Sequence, residues 1–141
     1  LQYEADILVL MLGTNDSKPR NWIDVETFLE QYQDLLDTYL EQENNPKVYI
    51  CICAKSYYIN GRTSGLAKYS IQPDIVDQIA TALKEKYEKE DVVIIDIHDL
   101  TGKHPEWFEK DGIHPDKEGA KAIAGEIGGM IRSTIDEKSN P

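Results

Sequence analysis

The fold of this chain is decided by the stretch Ile7-Leu8-Val9-Leu10-Met11-Leu12, which is apolar throughout and leads directly into Gly13-Thr14-Asn15-Asp16. Unbroken hydrophobicity indicates a strand that is covered on both faces, as in a parallel sheet, because a strand with one wet face would alternate. Two more apolar runs, rich in β-branched residues, span 48–53 and 92–97. The sequence therefore predicts three parallel strands.

Each of the three runs is followed by a segment with the periodicity of an amphipathic helix. Apolar residues recur on one stripe in residues 25–40, 73–87 and 117–131. Asp24 is a candidate N-cap for the first helix, and Pro46 marks the predicted end of that helix. The βαβαβα order and right-handed crossovers predict an α/β fold of three layers, αβα, with a parallel sheet in the middle. About three strands make an incomplete sheet, so we expect the edge at 7–12 to be covered by another copy or by a separate segment.

Length and composition bound the organisation of the chain. With 141 residues, of which 40% are hydrophobic, residues 1–141 are expected to form a single domain. The 15 basic and 26 acidic residues give a net charge of −11, which argues against nucleic acid or an anionic membrane surface as a partner. No apolar stretch approaches the ~20 residues that a membrane span needs. The compartment stays open, and secretion would require an upstream signal peptide.

Two cysteines, Cys51 and Cys53, lie in the second apolar run. Alternation along a strand places both side chains on one face, where we expect buried thiols that do not bond each other. A lone Cys-x-Cys without a nearby histidine is a weak metal signal. The sequence therefore predicts neither a metal nor a cofactor.

The first polar motif, Gly13-Thr14-Asn15-Asp16, follows the first strand at the carboxyl edge of the predicted sheet, where open α/β folds place their ligands. Asn15 could present a side-chain amide there. Glycine, asparagine and aspartate are also the residues that any tight turn uses, and Asp16 could cap a short helix. Taken alone, the motif leaves both interpretations open.

The second motif, Asp111-Gly112-Ile113-His114-Pro115, lies just before the last predicted helix. Gly112 can bend this loop and Pro115 can stiffen it. The Asp111 carboxylate can then accept a hydrogen bond from one imidazole nitrogen of His114, which leaves the other nitrogen to act as a base toward a hydroxyl. The alternative is a turn with an exposed histidine before a helix.

Together the two motifs resemble the third and fifth blocks of the SGNH hydrolase superfamily, the GDSL-type lipases and acylhydrolases. The segment GTNDSKPRNW, residues 13–22, is similar to the esterase branches that act on acetylated or acylated carbohydrate and on similar small esters. The resemblance implies a three-layer, flavodoxin-like domain. It also implies an ester hydrolase whose partner is a small acylated substrate, with carbohydrate esters as one candidate class.

The resemblance assigns a role to five residues. Asn15 would offer its amide to the oxyanion, His114 would be the general base, and Asp111 would orient the base. Gly13 would let the backbone approach the substrate closely. Asp16 would hold the loop.

The sequence departs from the family in its first two blocks. The Gly-Asp-Ser turn that carries the family's nucleophile and the glycine of the second block do not occur in residues 1–141. Ser17 and Ser56 lie near the correct edge of the sheet, but a loose loop rarely gives a nucleophile a fixed approach to His114. We therefore expect the C-terminal two-thirds of a domain, inactive alone. Its serine would lie outside this chain and be supplied by a missing N-terminal segment.

Two other functional classes are alternatives to an ester hydrolase. A catalytically inactive, truncated domain could serve as a binding or assembly module. A flavodoxin-like or receiver-like signalling domain shares the βαβ layout, but GTND is a poor phosphate-cradling loop and a poor acidic cluster.

A long irregular stretch, residues 54–71, follows the second strand at the same edge of the sheet. Its Tyr57 and Tyr58 are candidates to line an acyl or sugar pocket. A plain connection whose aromatic residues pack on the domain is the alternative. After the third strand, His98 and Asp99 are interpreted as a solvated loop end. The acyl group and the alcohol of the substrate stay open.

Overall fold

A computed structural model describes residues 4–137 of the chain. The strands are β1 (Ile7–Leu10), β2 (Lys47–Cys51) and β3 (Val93–Ile95), and the helices are α1 (Val25–Leu40), α2 (Pro73–Tyr87), α3 (Ile97–Gly102) and α4 (Lys117–Thr134). The three strands form one parallel sheet in the order β1-β2-β3. The predicted parallel sheet and the three long helices are confirmed. Within the described residues, no helix is long and apolar enough to cross a membrane.

Side chains of the sheet enter two separate hydrophobic clusters, one on each face. The first cluster joins the strands to α1 and α2, and its most deeply buried members include Ile50, Ile52, Ile71, Val76, Ile79 and Leu83. The second joins the strands to α3 and α4, and its buried members are Tyr49, Cys51, Ile95, Ile97 and Ile123. Helices therefore cover both faces of the sheet, which confirms the three-layer prediction.

Cys51 and Cys53 do not share a face of the sheet, contrary to the prediction. Cys51 belongs to the second cluster and Cys53 to the first. The strand ends at Cys51, so the alternation that the prediction assumed stops before Cys53. Both thiols are free and buried, as predicted. Burial raises the pKa of Cys51 to about 11 and the pKa of Cys53 to about 12, so neither is a reactive thiolate near neutral pH.

The third apolar run, 92–97, is not a single strand, because β3 stops and the short helix α3 begins within it. Asp96 makes this change: its side chain accepts a hydrogen bond from the backbone N–H of Asp99 at 2.9 Å and caps the helix. The interpretation of residues 98 and 99 as a solvated loop end is wrong for His98, whose side chain is only 19% exposed. Its Nε2 lies 2.9 Å from Oδ1 of Asp77 in α2.

The first strand is less covered than the other two. Leu8 and Leu10, which face α1 and α2, are each 8% exposed, whereas Ile7 and Val9 on the opposite face are 40% and 41% exposed. Val9 pairs in register with Tyr49, which is fully buried in the α4 cluster. The α4 cluster thus covers β2 and β3 but leaves this face of β1 open among residues 4–137. Within those residues β1 also has no second neighbouring strand.

Candidate active site

The first motif forms a tight turn directly after β1. Gly13 has φ of +139°, and a Cβ on it would lie 2.9 Å from Cγ2 of Ile79 and 3.3 Å from Sγ of Cys53. The turn can therefore pack on α2 and on the chain that leaves β2 only if this residue is glycine. The structure supplies a packing reason for glycine at this position, and its close approach to a substrate stays a prediction.

Asn15 combines a fixed backbone with an unbonded side chain. Its carbonyl oxygen accepts a hydrogen bond from Nδ2 of Asn21 at 2.9 Å. The next residues are also held, since Oγ of the buried Ser17 donates to the Thr14 carbonyl at 2.7 Å. The exposed amide of Asn15 makes no hydrogen bond within residues 4–137. The turn is therefore ordered while its amide donor remains available to a ligand.

Asp16 contributes to the same turn through its main chain. Its backbone N–H donates to the carbonyl of Gly13 at 3.1 Å. Burial raises the pKa of the Asp16 carboxyl above its ordinary value, and a hydrogen bond from its own backbone N–H opposes that rise. Asp16 thus helps to close the turn through its backbone, and a supporting role for its side chain stays a prediction.

In the second motif, Asp111 and His114 are joined by a short hydrogen bond. Oδ2 of Asp111 lies 2.6 Å from Nδ1 of His114. The other carboxylate oxygen accepts the backbone N–H groups of Ile113 at 2.8 Å and of His114 at 2.9 Å. The His114 ring is 63% exposed, and its Nε2 makes no hydrogen bond within the described residues. One ring nitrogen is therefore engaged and the other is available.

The environment of Asp111 keeps its carboxyl group ionised. Burial alone would raise the pKa of this carboxyl, but hydrogen bonds from the backbone and ring of His114 and from the backbone of Ile113 outweigh burial and lower it. An anionic Asp111 accepts a proton-bearing Nδ1, which fixes the neutral ring in the tautomer whose Nε2 carries the lone pair. That tautomer is the one that a general base requires.

Tyr57 supports the Asp111–His114 loop from below. Its backbone N–H donates to the Gly112 carbonyl at 2.9 Å, and its hydroxyl donates to the Thr101 carbonyl at 2.7 Å. Gly112 has φ of +72°, and a Cβ there would lie 2.5 Å from the Tyr57 carbonyl oxygen. Tyr58, the other pocket candidate, packs against the first hydrophobic cluster, and burial together with the nearby charge of Asp74 raises the pKa of its hydroxyl. Both tyrosines contact the domain itself in this structure.

The backbone of Trp107 holds the end of the same loop. The Asp116 N–H donates to the Trp107 carbonyl at 2.7 Å, and a Cβ on Gly119 would overlap that carbonyl oxygen. The side chain of Asp116 caps α4 by accepting from the Gly119 N–H at 2.8 Å. The start of α4 and the Asp111–His114 loop are therefore one fixed unit.

Tyr69 lies in the long loop of residues 54–71 and contacts the proposed base, although the sequence did not mark it as a site residue. Its ring is nearly perpendicular to that of His114, with an interplanar angle of 82° and centroids 5.5 Å apart. Its φ of 60° is in the left-handed region, which is uncommon for a residue with a side chain. No spacing or composition signal marks Tyr69, because its contact with His114 depends on the path of the whole loop.

Neither Ser17 nor Ser56, the two serines that follow the strands at this edge, is open to a substrate. Ser17 is 0% exposed and Ser56 is 2% exposed. Oγ of Ser17 already donates to Thr14 and accepts the backbone N–H of Gln72 at 3.2 Å. The structure thus gives both residues packing roles.

The chain is similar to known proteins both in sequence and in structure. The acetylxylan esterase of Xylanibacter ruminicola is 27% identical over an alignment of 153 positions. The alignment covers 94% of this chain and 30% of that protein. A carbohydrate esterase family 3 protein from Talaromyces cellulolyticus matches with a TM-score of 0.70 at 24% identity, over 95% of this chain and 60% of that one. The lipase/acylhydrolase from Enterococcus faecalis gives a TM-score of 0.71 at 19% identity, over 96% and 65%. The chain thus spans less than two-thirds of the length of each.

A parallel α/β sheet that carries an Asp-His pair and an asparagine-bearing turn at its carboxyl edge has the layout of a hydrolase domain. This chain belongs to the GDSL-like lipase/acylhydrolase family, whose model matches residues 1–122. That match includes both motifs and ends within α4. The family resemblance inferred from residues 13–22 and 111–115 is therefore confirmed.

Proposed function

We propose that the protein hydrolyses small esters by a Ser-His-Asp mechanism, with His114 as general base, Asp111 holding its ring, and Asn15 donating to the oxyanion. The observation that carries this proposal is the 2.6 Å contact between Nδ1 of His114 and Oδ2 of Asp111, together with an Nε2 that has no partner within residues 4–137. A base that activates a hydroxyl needs both features at once.

The proposed reaction begins when Nε2 of His114 removes the proton of a serine hydroxyl as its oxygen attacks the ester carbonyl carbon. The carbonyl oxygen becomes an oxyanion, and the amide of Asn15 stabilises it. His114 then returns the proton to the departing alcohol. Water repeats the sequence on the acyl-serine, releases the acid, and restores both side chains.

The nucleophilic serine in this proposal comes from outside the 141 residues. Two observations support that part: Ser17 and Ser56 are buried, and one edge and part of one face of β1 are open among the described residues. A segment that carries the serine would pair with β1, since this edge adjoins the turn that holds Asn15. Such a segment, or another copy of the chain, is the proposed partner, and residues 1–141 alone are expected to be inactive.

The proposed substrate is a small acylated molecule, with carbohydrate esters as the leading class. The supporting observation is that relatives matched by sequence and by structure carry the names acetylxylan esterase and carbohydrate esterase family 3. The segment at residues 13–22, which resembles such esterases, adjoins the candidate site.

The test is p-nitrophenyl acetate hydrolysis by the full gene product, by its His114→Ala variant and by residues 1–141 alone. We expect loss of the base to reduce kcat/KM by about 10²- to 10⁴-fold. His104→Ala is a matched control, because His104 pairs with Glu106 in a neighbouring turn and has no task in the proposal. An unchanged rate in His114→Ala would refute the mechanism.

A binding or assembly module is the second candidate function, and the burial of Ser17 and Ser56 favours it. It predicts no turnover and no labelling of the full gene product by a serine-directed fluorophosphonate. Labelling of a serine in that protein, lost on heat denaturation, would eliminate this candidate.

A further inference from the structure

A cleft of about 420 Å³ lies beside the proposed base. Its lining consists of Lys18, Pro19, Arg20, Tyr69 and Ser70. The Tyr69 ring also packs at right angles to the His114 ring, so the cleft and the base share one wall. The volume is within the range of sites for small molecules.

The lining of this cleft is positively charged, although the chain as a whole is negatively charged. The protein carries 26 acidic and 15 basic residues, yet two of the five lining residues are basic and none is acidic. Neither Lys18 nor Arg20 makes an ion pair within residues 4–137. Among the lysines and arginines of residues 4–137, only Lys55, Lys84 and Lys103 pair with aspartates, so what distinguishes Lys18 and Arg20 is their place in a cleft whose lining has no acidic residue. No carboxylate of the described residues neutralises these two positive charges, so a bound anion or solvent must do so.

The cleft is built from two walls that are tied together at their base. The side-chain amide of Gln72 donates to the Ser17 carbonyl at 2.7 Å, which joins the chain after Tyr69 to the chain before Lys18. Two backbone N–H groups of the following turn bond the Lys18 carbonyl at 2.8 and 2.9 Å. On the opposite wall, Tyr69 and Ser70 both have left-handed φ values, 60° and 61°. Hydrogen bonds therefore order the wall that carries Lys18 and tie it to the chain that follows Ser70 before a ligand arrives.

We infer that this cleft binds a carboxylate carried by the ester substrate, in its acyl or its alcohol part, an inference that rests on the proposed hydrolysis at His114. The planar guanidinium of Arg20 can donate two parallel hydrogen bonds to a carboxylate, and Lys18 adds a second positive charge. Tyr69 offers an apolar face to the carbon skeleton between the acid and the ester. Lys68, whose Nζ lies 5.8 Å from the centroid of that ring, extends the positive rim. The substrate class is thus an anionic ester.

The experiment compares matched charged and neutral esters on the full gene product. For the alcohol part, 4-acetoxybenzoate is paired with 4-acetoxybenzamide, and for the acyl part, mono-4-nitrophenyl succinate is paired with the corresponding succinamate. Arg20→Gln should reduce kcat/KM for the charged member of one pair on the order of tenfold, and should leave the neutral members nearly unchanged. The control is Arg132→Gln, which changes a matched exposed arginine near the end of α4. It should change kcat/KM for neither the charged nor the neutral esters.

Binding is measured separately so that the cleft and the hydrolysis can fail independently. Ligand-observed NMR should show benzoate binding more tightly than benzamide, with the difference lost in Arg20→Gln and reduced at high salt. Hydrolysis with no preference for either charged ester, and an Arg20→Gln effect equal on charged and neutral substrates, would overturn the inference and leave the proposed function standing. Arg20-dependent benzoate binding without any turnover would support the carboxylate site and overturn ester hydrolysis. Loss of both signals would overturn both.

Discussion

The two loops that carry the candidate site are held in opposite ways. In the loop after residue 108, the proposed base and its acidic partner hold each other, since the Asp111 carboxylate accepts three hydrogen bonds, two of them from His114. In the turn after β1, backbone groups and the side chains of Ser17 and Asn21 hold the chain, and the Asn15 amide takes no part. The proposed base, His114, is thus oriented by its own loop, whereas no hydrogen bond within residues 4–137 orients the side chain of the proposed oxyanion donor, Asn15.

This difference explains why removal of the two groups should be felt in different measurements. A change at Asn15 removes an exposed side chain that makes no hydrogen bond within residues 4–137, so activity should suffer and stability should not. A change in the Asp111–His114 loop disturbs bonds that also fix the local backbone, so stability should change as well. The following predictions test that separation.

The largest effect on activity alone is expected at Asn15. Asn15→Ala in the full gene product should lower kcat by about 10²- to 10³-fold, because one oxyanion donor is lost. The melting temperature should stay close to that of the wild type, since the side chain makes no hydrogen bond in the described structure. Esterase assays and thermal unfolding of the same samples measure both quantities.

The isosteric variant Asn15→Asp sharpens the result. It keeps the size of the side chain but replaces the donor by an acceptor of like charge to the oxyanion, so it should be at least as inactive as Asn15→Ala. Full activity in the aspartate variant would show that the amide does not contact the developing charge.

The same contrast shows how far the sequence could predict this molecule. The three long helices were predictable because their apolar stripes have a period near 3.6 and because Asp24 and Pro73 mark two starts. Helix α3 was not, since Asp96 caps it inside a run that has the composition of a strand. The Asp111–His114 contact was predictable because three residues of chain and a glycine suffice to close it.

Contacts that depend on the long loop after β2 were beyond sequence reasoning. Tyr57 was expected to line a pocket, but its hydroxyl bonds the Thr101 carbonyl, far along the chain. Tyr69 meets His114 only because the loop returns across the sheet edge and is tied to Ser17 through Gln72. Local patterns determine helices and short turns, whereas the course of a long loop is set by packing against the finished domain.

A side chain at Gly112 would destabilise the protein in two ways, through its left-handed backbone and through steric overlap with Tyr57. Gly112→Ala should destabilise the protein by about 3 kcal/mol, because its backbone is left-handed and its new Cβ would meet the Tyr57 carbonyl at 2.5 Å. Gly61 is a matched control: it has φ of +69°, close to the +72° of Gly112, but nothing lies within 4 Å of its Cβ position. Gly61→Ala should therefore cost only about 1 kcal/mol.

Urea unfolding of the two variants measures this difference directly. Equal losses would mean that the loop yields freely at Tyr57, and the view of a rigidly supported base would be wrong. The activity of Gly112→Ala should fall together with its stability, because a shifted loop moves His114 away from the nucleophile.

The smallest predicted effect concerns stability in acid. Hydrogen bonds lower the pKa of Asp111 in the folded protein, against the opposing effect of burial. A carboxyl whose pKa is lower in the folded than in the unfolded state stabilises the fold above the unfolded value of about 3.9, and that contribution is lost as the pH falls through the folded pKa. The stability difference between wild type and Asp111→Asn should therefore shrink steadily below about pH 4.

Asp99 provides the comparison that identifies the cause of this acid dependence. Its pKa is also lowered, by a hydrogen bond and the charge of Lys103, but this pair lies at the surface, with both side chains more than 60% exposed. Salt at 1 M should remove most of the acid-dependent difference for Asp99→Asn, because exposed charges are screened. The difference for Asp111→Asn should survive, because this 16%-exposed carboxylate is held by backbone hydrogen bonds. Equal salt sensitivity in the two variants would mean that Asp111 is held mainly by the charge of His114 and that its loop is less self-supporting than the hydrogen bonds indicate.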